Sequence, residues 1–374
     1  MTQKQFLHRS RIPTRLIAVC VLVALLTGCA ALVSSPWPMQ PLDEIQARCD
    51  AAMSRGCVPI APHGRPEVLP LFDAHTHLNY DMPVKTLLQA MDATGVRGMA
   101  LIPRHYRDDG WATDEQAADY AERYPDRFVA FVGGQRGDLS RPGYWTGDHR
   151  FLAEAKAKLS TGRFRGVGEF IINHYGYNRY VPTTNQSETG DVRIPVDTPL
   201  MFKIMDLVAR HGVPVLIHAE AEDETARQMH RLLDSFPETK VIWAHNCGRA
   251  AAARVAEFLR QYPQLLCDLA GMAVPFPEPY GWGTFGTIAG REYKPGSHVT
   301  RVQNNDGTIN PSMRDLFETF PDRFIIGTDT AHPFQYSRYA DLVAAFRRLL
   351  SQLKPETARK IGYDNAAHLY GTAR

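Results

Sequence analysis

The first 28 residues of this 374-residue chain contain no aspartate or glutamate, only Lys4, Arg9, Arg11 and Arg15 among their charges. The chain as a whole has no surplus of basic charge. Removing those four from the 42 Lys and Arg leaves 38 against 40 acidic residues, which gives no electrostatic footprint for nucleic acid. Long hydrophobic spans are lacking too: the apolar run Leu16 to Gly28 is 13 residues, short of the roughly 20 that cross a bilayer. Cysteine is scarce, and none of the six shows CxxC spacing, so no cysteine is assigned to a metal. No internal repeat, low-complexity tract or second domain is visible. With 44% hydrophobic and 22% charged residues, the composition is that of an ordinary globular protein.

A basic stretch followed by a short apolar run reads as an export signal that is cleaved. Leu26-Thr27-Gly28-Cys29 resembles the lipobox of bacterial lipoproteins. That resemblance implies a signal peptide at 1–28, lipidation of Cys29, and anchoring to a membrane of the cell envelope. Ala30, rather than an aspartate, implies the outer membrane, facing the periplasm of a diderm bacterium. Residues 29–68, rich in proline, read as a tether and lead segment. In an oxidising compartment Cys49 and Cys57 are expected to pair, whereas Cys247 and Cys267 are expected to be buried small hydrophobes.

From residue 69 to 374 the pattern changes. Apolar runs of strand length recur near 70–74, 98–103, 128–133, 165–170, 213–218, 241–245, 264–269 and 323–328. Helical spacing separates them, including Val84 to Ala93, Met201 to Arg210, Arg249 to Leu259 and, after the last strand, Tyr339 to Leu350 and Pro355 to Leu369. Eight fully apolar strands alternating with helices predict an α/β protein, a (β/α)8 TIM barrel, with a doubly wound sheet as the other fold of that pattern. Two long connections, about 172–197 and 270–310, predict long loops on its C-terminal face, where barrel active sites form.

Charged or titratable residues terminate strands that are otherwise apolar. They are His75 and His77, Glu169, His218, His245 and Asp329. A charge buried at such a position needs a partner or a metal. Imidazole and carboxylate donors suit zinc or another first-row divalent ion, and six are enough for two ions sharing a carboxylate. Asp268 ends strand seven and is a candidate brace for a ligand histidine. Asp73 is placed on the opposite face of strand one, as support rather than a ligand. Arg104, His105, His174 and His332 lie near strand ends as candidate substrate-binding residues, Arg104 for a carboxylate.

On Asp73-Ala-His75-Thr-His77, His218, His245, Gly327-Thr-Asp329 and Asn365-Ala-Ala-His-Leu-Tyr-Gly371, the chain resembles the amidohydrolase superfamily, within it the amidohydrolase-related group, over essentially all of residues 69 to 370. The resemblance implies that His75, His77 and Asp329 bind one metal and His218 and His245 the other, with Glu169 bridging as in TatD-type members. It implies a metal-dependent hydrolase: a metal-bound hydroxide attacks an ester, lactone, amide or phosphoester bond of a small-molecule substrate. Asp329 acts as general base and acid. His245 is either a ligand or the group that polarises substrate. Two other readings follow from the same residues, a decarboxylase using one ion and a non-catalytic metal-binding envelope lipoprotein. Substrate identity and oligomeric state are not encoded in any motif.

Overall fold

A computed structural model describes residues 69–79, 82–105, 111–136, 149–174, 192–273, 287–288, 291–292, 302–304, 307–330, 336 and 338–372. The segments 1–28 and 29–68, with Cys29, Cys49 and Cys57, lie outside them, as does His332. The long connections at 172–197 and 270–310 fall largely outside as well.

Eight parallel strands run in chain order around the molecule: β1 (Leu71–Leu78), β2 (Val96–His105), β3 (Phe128–Val132), β4 (Phe164–His174), β5 (Val215–Ala219), β6 (Val241–Trp243), β7 (Leu265–Asp268) and β8 (Phe324–Ile325). Each is followed by a helix: α1 (Val84–Thr94), α2 (Trp111–Arg123), α3 (His149–Leu159), α4 (Pro199–His211), α5 (Asp223–Ser235), α6 (Ala252–Gln261), α7 (Pro311–Thr319) and α8 (Tyr339–Leu350). The ladder continues past β8 to close on β1: Ala74 N donates to Ile326 O, Asp329 N to His75 O and His77 N to Thr330 O, each at 2.9 Å. This is the (β/α)8 barrel expected from the strand count.

Local sequence explains where elements start. Thr198 caps α4 by accepting from Met201 N at 3.1 Å, with Pro199 in the first turn. Asn310 and Pro311 start α7 in the same way.

Two apolar layers follow from strand alternation. Phe72, Ala74, Ala100, Ile102, Phe131, Leu216, Ile242 and Ile325 fill the barrel, and Tyr370 closes its floor against Phe72 and Phe131. The opposite faces, including Leu71, Leu101, Val167 and Ile217, meet the helices. Gly327 lets the closing segment lie against β1, since a Cβ there would sit 2.5 Å from His75 Cβ.

Several expectations need correction. Strict alternation puts residues 73, 75 and 77 on one face, yet Asp73 does face away from the histidines. The cause is a bulge: the β1–β2 register shifts between Asp73 and Thr76, which resets the phase. The helix expected from Arg249 begins at Ala252, because His245, Asn246, Cys247, Gly248 and Arg249 all adopt left-handed backbone, with φ of 56°, 54°, 53°, 72° and 59°. The helix expected over 355–369 is interrupted by a wider π-type turn at Lys360–Asp364.

Cys247 and Cys267 are not separate small hydrophobes but a disulfide, with Cα atoms 4.9 Å apart. Cys267 lies on β7 and Cys247 in the left-handed turn, so adjacent strand ends bring together thiols 20 residues apart in sequence. Among the described residues no helix is long and apolar enough to cross a membrane.

Candidate metal centre

All six predicted ligands meet at the C-terminal mouth of the barrel, and none is more than 8% exposed. Past the bulge, His75 and His77 both face inward and their Nε2 atoms are 3.3 Å apart. Asp329, in left-handed backbone with φ 55°, brings Oδ1 to 3.3 Å from His77 Nε2 and 3.9 Å from His75 Nε2. Glu169 lies between this group and the next. Its Oε2 is 3.3 Å from His77 Nε2, and its Oε1 is 2.9 Å from His218 Nδ1 and 3.5 Å from His245 Nε2. The donor atoms thus form two triads, His75–His77–Asp329 and Glu169–His218–His245, each within 4.8 Å.

The neighbours of these residues fix which nitrogens face the centre. His75 Nδ1 donates to Asp268 Oδ2 at 2.9 Å, which confirms the bracing role expected of Asp268 and turns Nε2 inward. The other oxygen of Asp268 accepts from His245 N and Ala270 N, at 2.9 and 3.0 Å. His245 Nδ1 is 2.8 Å from Ala270 O. A carbonyl only accepts, so that nitrogen carries the proton and Nε2 of the neutral ring presents a lone pair to the centre.

Titration behaviour follows the same geometry. Burial alone would neutralise Glu169, but the charge on His75 and hydrogen bonds from His218 and His75 hold its pKa well below the ordinary carboxylate value. Burial likewise opposes ionisation of Asp329, and the His77 hydrogen bond with the charge on His75 keeps it ionised. Burial would lower His75, yet Asp268 and Glu169 raise it well above 6.5. His245 is lowered by burial and by the charges of His218 and Arg249.

A cation entering the site must therefore displace a proton from His75. Apparent affinity for a divalent metal is expected to rise with pH through neutrality, by up to about tenfold per pH unit for each proton released. Competition titration against a chromophoric chelator at several pH values measures this. A flat profile across neutral pH would contradict the assignment.

A third group, His174 and Glu220 with the same His218, adjoins the second triad. Glu220 is fully buried, its Oε1 is 3.4 Å from His174 Nδ1 and 3.6 Å from His218 Nε2, and it forms an ion pair with Arg249. That guanidinium already neutralises the carboxylate, leaving two imidazoles with no net negative charge to hold a dication. The group lies behind His218 and does not make a third ion site. Burial and the neighbouring charge on His218 push His174 down to about 4, so it is neutral at the mouth.

Sequence reasoning missed Glu220 and Arg249. Glu220, a carboxylate just past the apolar β5, carried the same signal that marked Glu169; Arg249 carried none, because it was assigned to a helix. Arg104 is buried at the end of β2, where its backbone pairs with that of Gln135. The side chain of His105 lies outside the described residues.

The donor set fits a divalent metal: four imidazoles and two carboxylates, buried, convergent and braced from behind. Among solved structures the chain is similar to an uncharacterised TIM-barrel protein, Bb4693 from Bordetella bronchiseptica, at 13% identity and a TM-score of 0.51, covering 81% of this chain and 99% of that one. It is also similar to an amidohydrolase II structure at 13% identity and a TM-score of 0.50, covering 80% and 99%. These likenesses show the fold. No match was found among curated proteins. The family model for amidohydrolases matches residues 72–372, the whole barrel including the site, and the chain belongs to that family.

Proposed function

We propose that this protein is a metal-dependent hydrolase with two divalent ions, zinc by donor type. The carrying observation is the position of Glu169 between the two triads, with Oε2 3.3 Å from His77 and Oε1 2.9, 3.5 and 3.8 Å from His218, His245 and His75, within reach of the donors on both sides. His75, His77 and Asp329 would hold one ion and His218 and His245 the other. Bound there, such ions lower the pKa of a water from about 15.7 toward about 7 and polarise a carbonyl or phosphoryl oxygen.

The protein's own residues supply the rest. Asp329 is ionised and accepts the proton of the attacking water, then returns it to the leaving group. Asp268 and Ala270 fix the rings of His75 and His245, so the donors need no reorganisation during the reaction. Glu220, paired with Arg249, lies 3.6 Å behind His218 Nε2. Arg104, His105, His174 and His332 remain candidates for holding substrate. The ester, lactone, amide and phosphoester classes are tested together by screening before chelation, after it, and after adding back zinc. Activity should disappear and return. Activity that survives chelation would sink the reading.

We also propose that the chain is exported and lipid-anchored through Cys29. The Cys247–Cys267 disulfide supports an oxidising compartment. Changing Cys29→Ser should leave the protein unprocessed and abolish its anchoring. Processing and membrane association that both survive the change would contradict it.

A further inference from the structure

Asp329, like His245, is a non-glycine residue in left-handed conformation, with φ 55°, and it lies at the seam where β8 meets β1. Its own amide is fixed by His75 O, but the residues on either side must also be held for the carboxylate to point into the mouth. Thr330 is paired to β1 through His77 N, and a carboxylate from the far side of β1 holds Thr328 and, through it, the Thr330 side chain. Asp73, 1% exposed, accepts from Thr328 N through Oδ1 at 2.8 Å and from Thr328 Oγ1 through Oδ2 at 2.7 Å. Thr330 Oγ1 donates to Thr328 Oγ1 at 2.8 Å, so the residues before and after Asp329 belong to one hydrogen-bonded chain ending on Asp73. Tyr339 OH, from the first turn of α8, donates to the same carboxylate oxygen at 2.8 Å and fixes Asp73 in turn.

We infer that Asp73 is a positioning residue for Asp329: through Thr328 and Thr330 it holds the left-handed turn that aims the Asp329 carboxylate at His75 and His77. The inference rests on the metal-centre reading above. It explains why the bulge in β1 matters, since the shift of phase sends Asp73 outward to the seam while the two histidines turn inward.

Cobalt(II) titration of the metal-free protein, followed by visible absorption, tests this without a known substrate. Asp73→Ala should weaken cobalt binding about 10- to 100-fold, the range for losing a group that orients a ligand. It should also shift the visible bands in the direction that Asp329→Asn shifts them. Asp73→Asn, which can still accept from Thr328 N, should stay within about threefold of the parent. If Asp73→Ala does not fold, Thr328→Val reports instead, with cobalt binding weakened threefold or more. A folded Asp73→Ala, or in its place Thr328→Val, with unchanged affinity and bands would overturn the inference and leave Asp73 a purely structural residue. A parent protein that takes up no cobalt would overturn the metal reading, and this inference with it.

Discussion

Asp329→Asn is expected to lower kcat by about 10²- to 10⁴-fold, the range for loss of a general base, with a smaller change in KM. Asparagine keeps the size of the side chain and its place on the left-handed turn, so the barrel seam should survive. What it removes is the charge. Asp329 is held ionised by the His77 hydrogen bond and by the charge on His75, in spite of its burial, and an amide can neither take a proton from water nor return one. Steady-state kinetics on the best substrate from the screen, with melting to confirm folding, measures the effect. Turnover at the normal rate would remove Asp329 from the chemistry.

Glu169→Gln is expected to reduce metal affinity by at least about 10²-fold and to disrupt both ion positions together. Its carboxylate lies between the triads, reaching His75 and His77 on one side and His218 and His245 on the other. A unit charge at about 4 Å in an environment of effective dielectric about 20 is worth about 4 kcal/mol, so neutralising it is felt by each cation. The amide also turns a donor group toward nitrogen lone pairs. Isothermal titration with zinc would show this as loss of both binding phases. A variant losing one phase alone would place Glu169 on a single ion and argue against bridging.

Much of the centre was legible in the sequence because burial makes charge conspicuous. In strands such as 213–218 and 241–245, runs of Val, Ile and Leu leave one titratable residue at the end, and the barrel topology carries those ends to one rim. The conclusion about Asp73 was right although simple alternation contradicts it; the bulge that reconciles the two arises from pairing with β2, which no local pattern encodes. The left-handed turn at 245–249 was hidden for a related reason. Asn246 and Gly248 favour that conformation, but His245, Cys247 and Arg249 do not, and long-range partners hold them there: Asp268 on the His245 amide, Cys267 on Cys247 and Glu220 on Arg249. The disulfide escaped notice because pairing depends on strand ends becoming neighbours, and spacing along the chain favoured Cys49 with Cys57 instead. Substrate choice is not encoded in the centre at all, since it depends on rim loops whose variation lets one barrel host many chemistries.

The central claim is that six side chains from five barrel strands and their C-terminal extensions hold two ions around a shared Glu169. Metal analysis of the purified, untethered chain, by elemental quantification after mild dialysis, tests it most directly. The account predicts close to two divalent ions per chain, falling together in Glu169→Gln. A count near one would contradict the shared carboxylate and favour single-ion chemistry, such as decarboxylation. A chain that holds no metal, and takes up none when zinc is supplied, would contradict the account altogether.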